Sequence, residues 1–216
     1  MSEVLQESIS LLDERKLEID IFFTMLQKDV ISENDEVKIL RATSFLLLYN
    51  IIEATITRII LDYHNYLSSR SFAELTEQLK SYYIDLKLSE CKPRTTHYEK
   101  YINKSKEIVE YIVCENAINF DLGQLEGRLP ISGNVDNQYI VKLLKDNWGI
   151  AFNTSIIPSC ITEIKNKRNA LSHGRESFLE VGRNLSMDEL LENKVKTIAC
   201  LSDLLEVICN HISNSQ

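Results

Sequence analysis

Residues 35–67 impose the strongest constraint on the fold. Leu40, Phe45, Leu48, Tyr49, Ile52, Ile56, Ile59, Ile60 and Tyr63 recur there at helical spacing, and neither proline nor glycine interrupts them. A helix of about 30 residues with so wide an apolar stripe cannot stand alone in water. It is the expected spine of a helical bundle. The rest of the chain agrees, because only 6 glycines and 3 prolines serve 216 residues. So few turn residues favour an all-α fold over a β-sandwich.

Other helices are expected around that spine. Residues 3–28 carry Leu5, Ile9, Leu12, Leu17, Ile21, Phe22 and Met25. The polar ISENDE stretch, 31–36, offers Ser32 or Asn34 as a helix cap. Further helices are expected over 71–88 and 98–115, separated by CKPRTTH (91–97), where Pro93 ends the first. FDLGQLEGRLPISGNVDNQ, 120–138, holds three of the six glycines and reads as irregular. A short helix is expected from Val135 to Trp148, with Asn134 or Asp136 near its cap, and another over 155–171. HGRESFLEVGRNLS reads as a loop. Ser186 and Glu189 form a capping box that opens the last helix, which runs to about His211. The expected organisation is one helical domain over 1–216, with 116–150 as a loop-rich insertion before the helix of 155–171.

Charge and composition narrow the setting. The net charge of −8 disfavours a protein that coats DNA or an anionic membrane, but it leaves room for a local basic site. The N-terminus lacks the apolar core of a signal peptide. The most apolar run, residues 44–52, ends at Glu53, well short of the roughly 20 residues that a membrane span needs. No membrane association is expected. Five scattered cysteines show no metal-binding spacing and read as reduced thiols of a cytoplasmic protein. No phosphate-binding glycine loop occurs, and neither a cofactor nor a metal is expected.

The stretch with chemical potential is KNKRNALSHG, 165–174. Four residues separate Arg168 from His173. Five helical steps turn through about 500°, roughly 140° net. Arg168 and Ser172 therefore share a face, while His173 lies to one side. Gly174 suits the left-handed residue that stops a helix. An imidazole handles protons near neutral pH, and a guanidinium fork suits phosphate oxygens. Together they can cleave RNA by internal 2′-hydroxyl attack, which leaves a 2′,3′-cyclic phosphate and a 5′-hydroxyl. DNA, lacking that hydroxyl, is spared. Lys165, Lys167, Arg168 and Arg175 form a local positive patch with no acid between 165 and 175, fit to meet an RNA backbone. Ser172 reads as a helix-end hydrogen bonder facing substrate rather than as a nucleophile. Two readings of His173 stay open at this point: a proton-handling group, or a helix-end residue that suits the macrodipole. Glu53 lies beside the apolar stripe and is either partnered by Arg168 or solvated at its edge. His64, His97 and His211 read as helix-surface or helix-end residues. One motif supplies one histidine, whereas acid–base cleavage uses two proton-handling groups, so a two-fold dimer that brings two motifs together is expected.

KNKRNALSHG resembles the R-x4-6-H signature of the HEPN superfamily (higher eukaryote and prokaryote nucleotide-binding domains), where a polar residue commonly follows the arginine, as Asn169 does here. The resemblance extends over LLDERKLEI (11–19), LLLYNIIEATI (46–56), SGNVDNQYI (132–140), WGI (148–150) and SFLEVGRNLSMDEL (177–190). Together these look like a bacterial HEPN-like nuclease family of defence and toxin systems. The resemblance implies an all-α HEPN-type bundle, a dimer with a composite cleft, and metal-independent RNA cleavage by Arg168 and His173 with Asn169 in support. It also makes Glu53 a polar contributor and implies an antitoxin or other defence-system protein as a partner. Some such toxins carry a tyrosine two residues after the histidine, where a partner enzyme modifies them. This chain has Arg175 there, so any antitoxin acts by another route. The alternative function is a non-catalytic HEPN module that binds a nucleotide or a protein in the same cleft.

Overall fold

The structure, a computed structural model, describes residues 3–28, 34–89, 98–114, 118, 120 and 134–214. The described residues form α1 (Gln6–Lys28), α2 (Asp35–Leu67), α3 (Glu77–Ser89), α4 (Tyr98–Val113), α5 (Asn137–Val141), α6 (Cys160–Ser172), α7 (Phe178–Arg183) and α8 (Met187–Asn214). Short 3-10 turns at Glu3–Leu5, Phe72–Glu74 and Thr154–Ile156 and a π-helical turn at Lys142–Asn147 complete the described elements, with no strand among them. The fold is all-α, as expected. The caps follow the sequence: Asn34 Oδ1 accepts from the Val37 N–H at 2.9 Å, Asp136 Oδ1 accepts from Tyr139 at 2.9 Å, and Glu189 completes the box with Ser186. Ser32, Pro93, His97 and most of the glycine-rich stretch lie outside the described residues.

The chain divides into two compact units. The first comprises Met1–Asp62, Leu129–Ile140 and Asn153–Gln216. The second comprises Tyr63–Arg128 and Val141–Phe152.

In the first unit α2 buries Phe45, Leu48, Tyr49, Ile52, Ile56 and Ile59 in the core. Leu12, Ile19, Phe23 and Leu26 of α1, Ile161 and Ile164 of α6, and Leu201, Leu204 and Ile208 of α8 are buried with them. Each such side chain contributes about 1.5–3 kcal/mol when taken from water. Ser8 ties α1 to α2 by donating from its N–H and hydroxyl to Asp62 Oδ2 at 3.0 and 2.6 Å. Lys194 of α8 reaches Asp20 and lies over the Phe23 ring.

Three features of this unit correct the sequence reading. The buried stripe of α1 leaves the expected one after Leu12, and Leu17 and Ile21 are each 63% exposed. The stretch after the motif, expected as loop, contains helix α7, opened by a capping box of Ser177 and Glu180. Helix α2 is also long and apolar enough to cross a membrane by length and composition, which the 44–52 run alone did not show. Most of that window is buried inside the protein, as in a core helix.

In the second unit Tyr63, His64, Tyr83, Phe120 and Trp148 form an aromatic core. Tyr63 and Trp148 have centroids 4.3 Å apart, and His64 stacks on Phe120 at 4.3 Å and 6°. His64 stands in the last turn of α2, a helix-end residue as expected, but it is fully buried rather than at the surface. Burial pushes its imidazole down to about 3 from 6.5.

Two outcomes test this packing. A methyl group at Gly182 of α7 would meet the carbonyl oxygen of Lys38 in α2 at 1.8 Å. Backbone cannot yield to that, so Gly182→Ala is expected to lose about 3 kcal/mol in urea unfolding. His64 is neutral in the folded state, and its stabilisation is complete above pH 6.5 and lost as pH falls toward 3. Stability should drop by about 2 kcal/mol from that residue between neutrality and pH 5. Unfolding curves of His64→Phe should lack this component.

Candidate functional site

Helix α6 presents the motif, and the way it ends is specific. His173 is its cap residue (φ −95°), and Gly174 follows with φ +65°. The Gly174 N–H donates to Leu171 O at 3.2 Å and the Arg175 N–H to Ala170 O at 2.8 Å. These paired bonds are a Schellman motif, which satisfies the orphan carbonyls of the last turn. The glycine stop expected from the sequence is therefore present. Ser172, His173 and Arg175 stand exposed just before and after the stop. Their side chains make no polar contact among the described residues.

Arg168 lies one turn before that end. Its guanidinium carbon sits 4.5 Å from the centre of the Tyr49 ring. One nitrogen donates to Asn169 Oδ1 at 2.9 Å, and another lies 3.5 Å from Glu53 Oε2. Between the ion-paired and solvated placements of Glu53, the structure has the paired one. Leu46, Tyr49, Asn50, Glu53 and Ala54 of α2 face Arg168 and Ser172 of α6 across an open groove of about 420 Å³. Arg168 and Ser172 do share a face.

The lysines go elsewhere. Lys165 pairs with Asp136 at 2.5 Å, and Lys167 pairs with Glu176 at 2.9 Å. Lys167 opens on a different, acid-rich hollow lined by Glu163, Glu176, Glu180 and Glu189. The patch without acids expected over 165–175 is thus countered by acids from outside it. Burial alone would raise Asp136, but hydrogen bonds from Lys165 and the Tyr139 N–H outweigh it and hold its carboxyl below the usual range. Among the described residues no cluster of three or more His, Cys, Asp or Glu could hold a metal ion.

Sequence reasoning missed Tyr49 as a site residue. It had placed Tyr49 in the core stripe, and the residue is indeed buried, yet one ring face supports the Arg168 cation. Its hydroxyl accepts the Val135 N–H at 3.0 Å. The only available signal was its position one turn before Glu53.

An all-α chain with an arginine–histidine pair at a helix end is the pattern that the HEPN resemblance implies. The chain belongs to the HEPN_MAE_28990-like HEPN family, whose model matches residues 4–216. HEPN domains serve as nucleases, often ribonucleases, or as nucleotide-binding modules. No curated protein and no solved structure gives a significant match.

The helix stop can be tested directly. Beyond its chain neighbours, no atom of the described residues lies within 4 Å of a Cβ placed at Gly174, so its conformation sets the cost of substitution. Gly174→Ala is expected to lose about 1–2 kcal/mol by thermal unfolding. Gly174→Asn, which tolerates the left-handed region, should lose much less.

Proposed function

We propose that this chain is a metal-independent endoribonuclease acting as a toxin or antiphage effector. Arg168 and His173 from two protomers form its composite site. The observation that carries the reading is the pair itself: a guanidinium set in a groove, with an exposed imidazole at the helix stop beyond it.

In this mechanism the RNA 2′-oxygen attacks the neighbouring phosphorus and the bond to the 5′-oxygen breaks. One imidazole takes the 2′-hydroxyl proton and another gives a proton to the departing 5′-oxygen. Arg168 stabilises the charge that grows on the phosphorane, and Asn169 supports it through its hydrogen bond. Two imidazoles require two copies of the motif, and the exposure of His173 leaves it open to a second protomer. Ser172 and Arg175, also exposed, flank the RNA path. Lys165 and Lys167 contribute by exchanging Asp136 and Glu176 for phosphate oxygens. Glu53 holds Arg168 until substrate arrives. An antitoxin or other defence-system protein would act by covering the groove, and action on RNA places the protein in the cytoplasm.

A second reading, a non-catalytic module binding a nucleotide in the same groove, draws on the Arg168–Glu53 contact, which leaves the cation engaged in the free protein. Purified protein incubated with mixed RNA in EDTA decides between the two. Wild type is expected to produce fragments ending in cyclic phosphate, and His173→Ala to produce none. Inert wild type that retains a nucleotide favours the binding module. Loss of cleavage on adding EDTA overturns the metal-free mechanism, and full activity of a monomer overturns the composite site.

A further inference from the structure

The task given to Arg168 depends on where its charge stands, because an electrostatic catalyst works only when its charge already stands where the transition state needs it. We propose that Tyr49 is the positioning residue for Arg168, holding the guanidinium plane by its ring face at the floor of the groove. The proposal rests on the nuclease reading above.

A free arginine side chain carries about 2 kcal/mol of rotamer entropy, so something must fix it. Its three neighbours among the described residues are unequal in this respect. Asn169 is the next residue on the same helix and moves with Arg168. Glu53 stands at 3.5 Å, the outer limit of a hydrogen bond. Tyr49 is on another helix, is 1% exposed, and presents a flat surface 4.5 Å from the guanidinium carbon. An aromatic face at that distance attracts the cation and prefers it parallel or centred over the ring.

The ring is itself braced. Its hydroxyl accepts the N–H of Val135, which is fully buried. The next two residues grip α6: Asp136 pairs with Lys165, and Asn137 donates to Pro158 O at 3.0 Å and accepts from Thr162 Oγ1 at 2.9 Å. One short segment therefore fixes both the platform and the helix that carries Arg168. The ring and the backbone that carries Arg168 cannot drift apart without breaking it.

The hydroxyl is not a spare general base. Burial pushes the phenol up to about 12, against the lowering effect of the Val135 N–H. Tyr49 thus stays protonated across the working range, and what it offers the groove is a face.

Two variants separate face from anchor. Tyr49→Leu keeps an apolar side chain and loses the face. Tyr49→Phe keeps the face and loses the acceptor for Val135. The readouts are steady-state cleavage of mixed RNA in EDTA and the NMR signal of the Arg168 Nε–H, assigned by its loss in Arg168→Lys. In wild type and Tyr49→Phe the signal should be displaced by the ring current. In Tyr49→Leu it should return to the position of a free arginine, with kcat reduced about 10²-fold and KM unchanged. Thermal unfolding shows which variants are folded. A folded Tyr49→Leu with wild-type kcat, or with an undisplaced signal already in wild type, overturns the proposal. Where Leu prevents folding, Tyr49→Met takes its place, and a folded Met variant with wild-type kcat overturns the proposal equally. Wild-type protein that fails to cut RNA sinks the nuclease reading, while the NMR signal still shows whether Tyr49 holds the guanidinium.

Discussion

The burial requirement of α2 governs everything else in this chain. Its apolar residues occupy much of its circumference, from Val37 through Phe45 and Ile52 to Ile60. Hydrophobic driving force scales with the apolar area removed from water, so a helix of this kind recruits partners on several sides. One strip of it escapes complete cover: Leu46, Asn50, Glu53 and Ala54, spaced at one and two turns, line the groove opposite Arg168. Core and site are thus two faces of the same helix. Tyr49 stands at the boundary, with its hydroxyl turned to the Val135 backbone and a ring face to the cation.

How much of this could be read in advance depends on the range of the interaction. The bounds of α2 and α4, the caps at Asn34 and Ser186 and the stop at Gly174 are short-range matters of residue type and spacing, and they were legible. The α1 stripe was not. That helix carries two apolar series, one through Ile19, Phe23 and Leu26 and one through Leu17, Ile21 and Met25, and spacing does not say which a neighbour will cover. Lys194, from the far end of the chain, lies over Phe23 and marks the covered side. Helix α7 was legible and missed: Ser177 and Glu180 have the capping-box spacing, but two glycines and a short run masked the signal.

The site shows the same division. Arg168, Ser172 and His173 were placed by helix geometry, including the shared face of the first two. The ion partners of the lysines were not, because Asp136 lies 29 residues from Lys165 in sequence. A patch judged by local composition looked uniformly basic, whereas the folded chain supplies a carboxylate to each lysine and to Arg168. A polyanion approaching this surface must therefore exchange partners rather than meet bare charge. That exchange costs little where the ion pairs are partly exposed, and it makes binding sensitive to salt.

The two halves of the motif differ in how firmly they are held. Arg168 has a ring beneath it, an amide beside it and a carboxylate across the groove. His173 has its backbone fixed by the N–H bond to Asn169 O at 3.1 Å, while its imidazole projects into solvent. Preorganisation contributes most to catalysis when every reacting group is fixed. Under the proposed function, the site is ordered on its electrostatic side and open on its proton-handling side. Whatever completes it must approach from the direction of the helix stop, where Ser172, His173 and Arg175 are all exposed. Under the proposed function, a second copy of the same helix end meets that requirement and brings the second imidazole with it. Under the proposed function, the geometry that leaves the His173 imidazole exposed in one chain is the same geometry that lets two chains build one cleft.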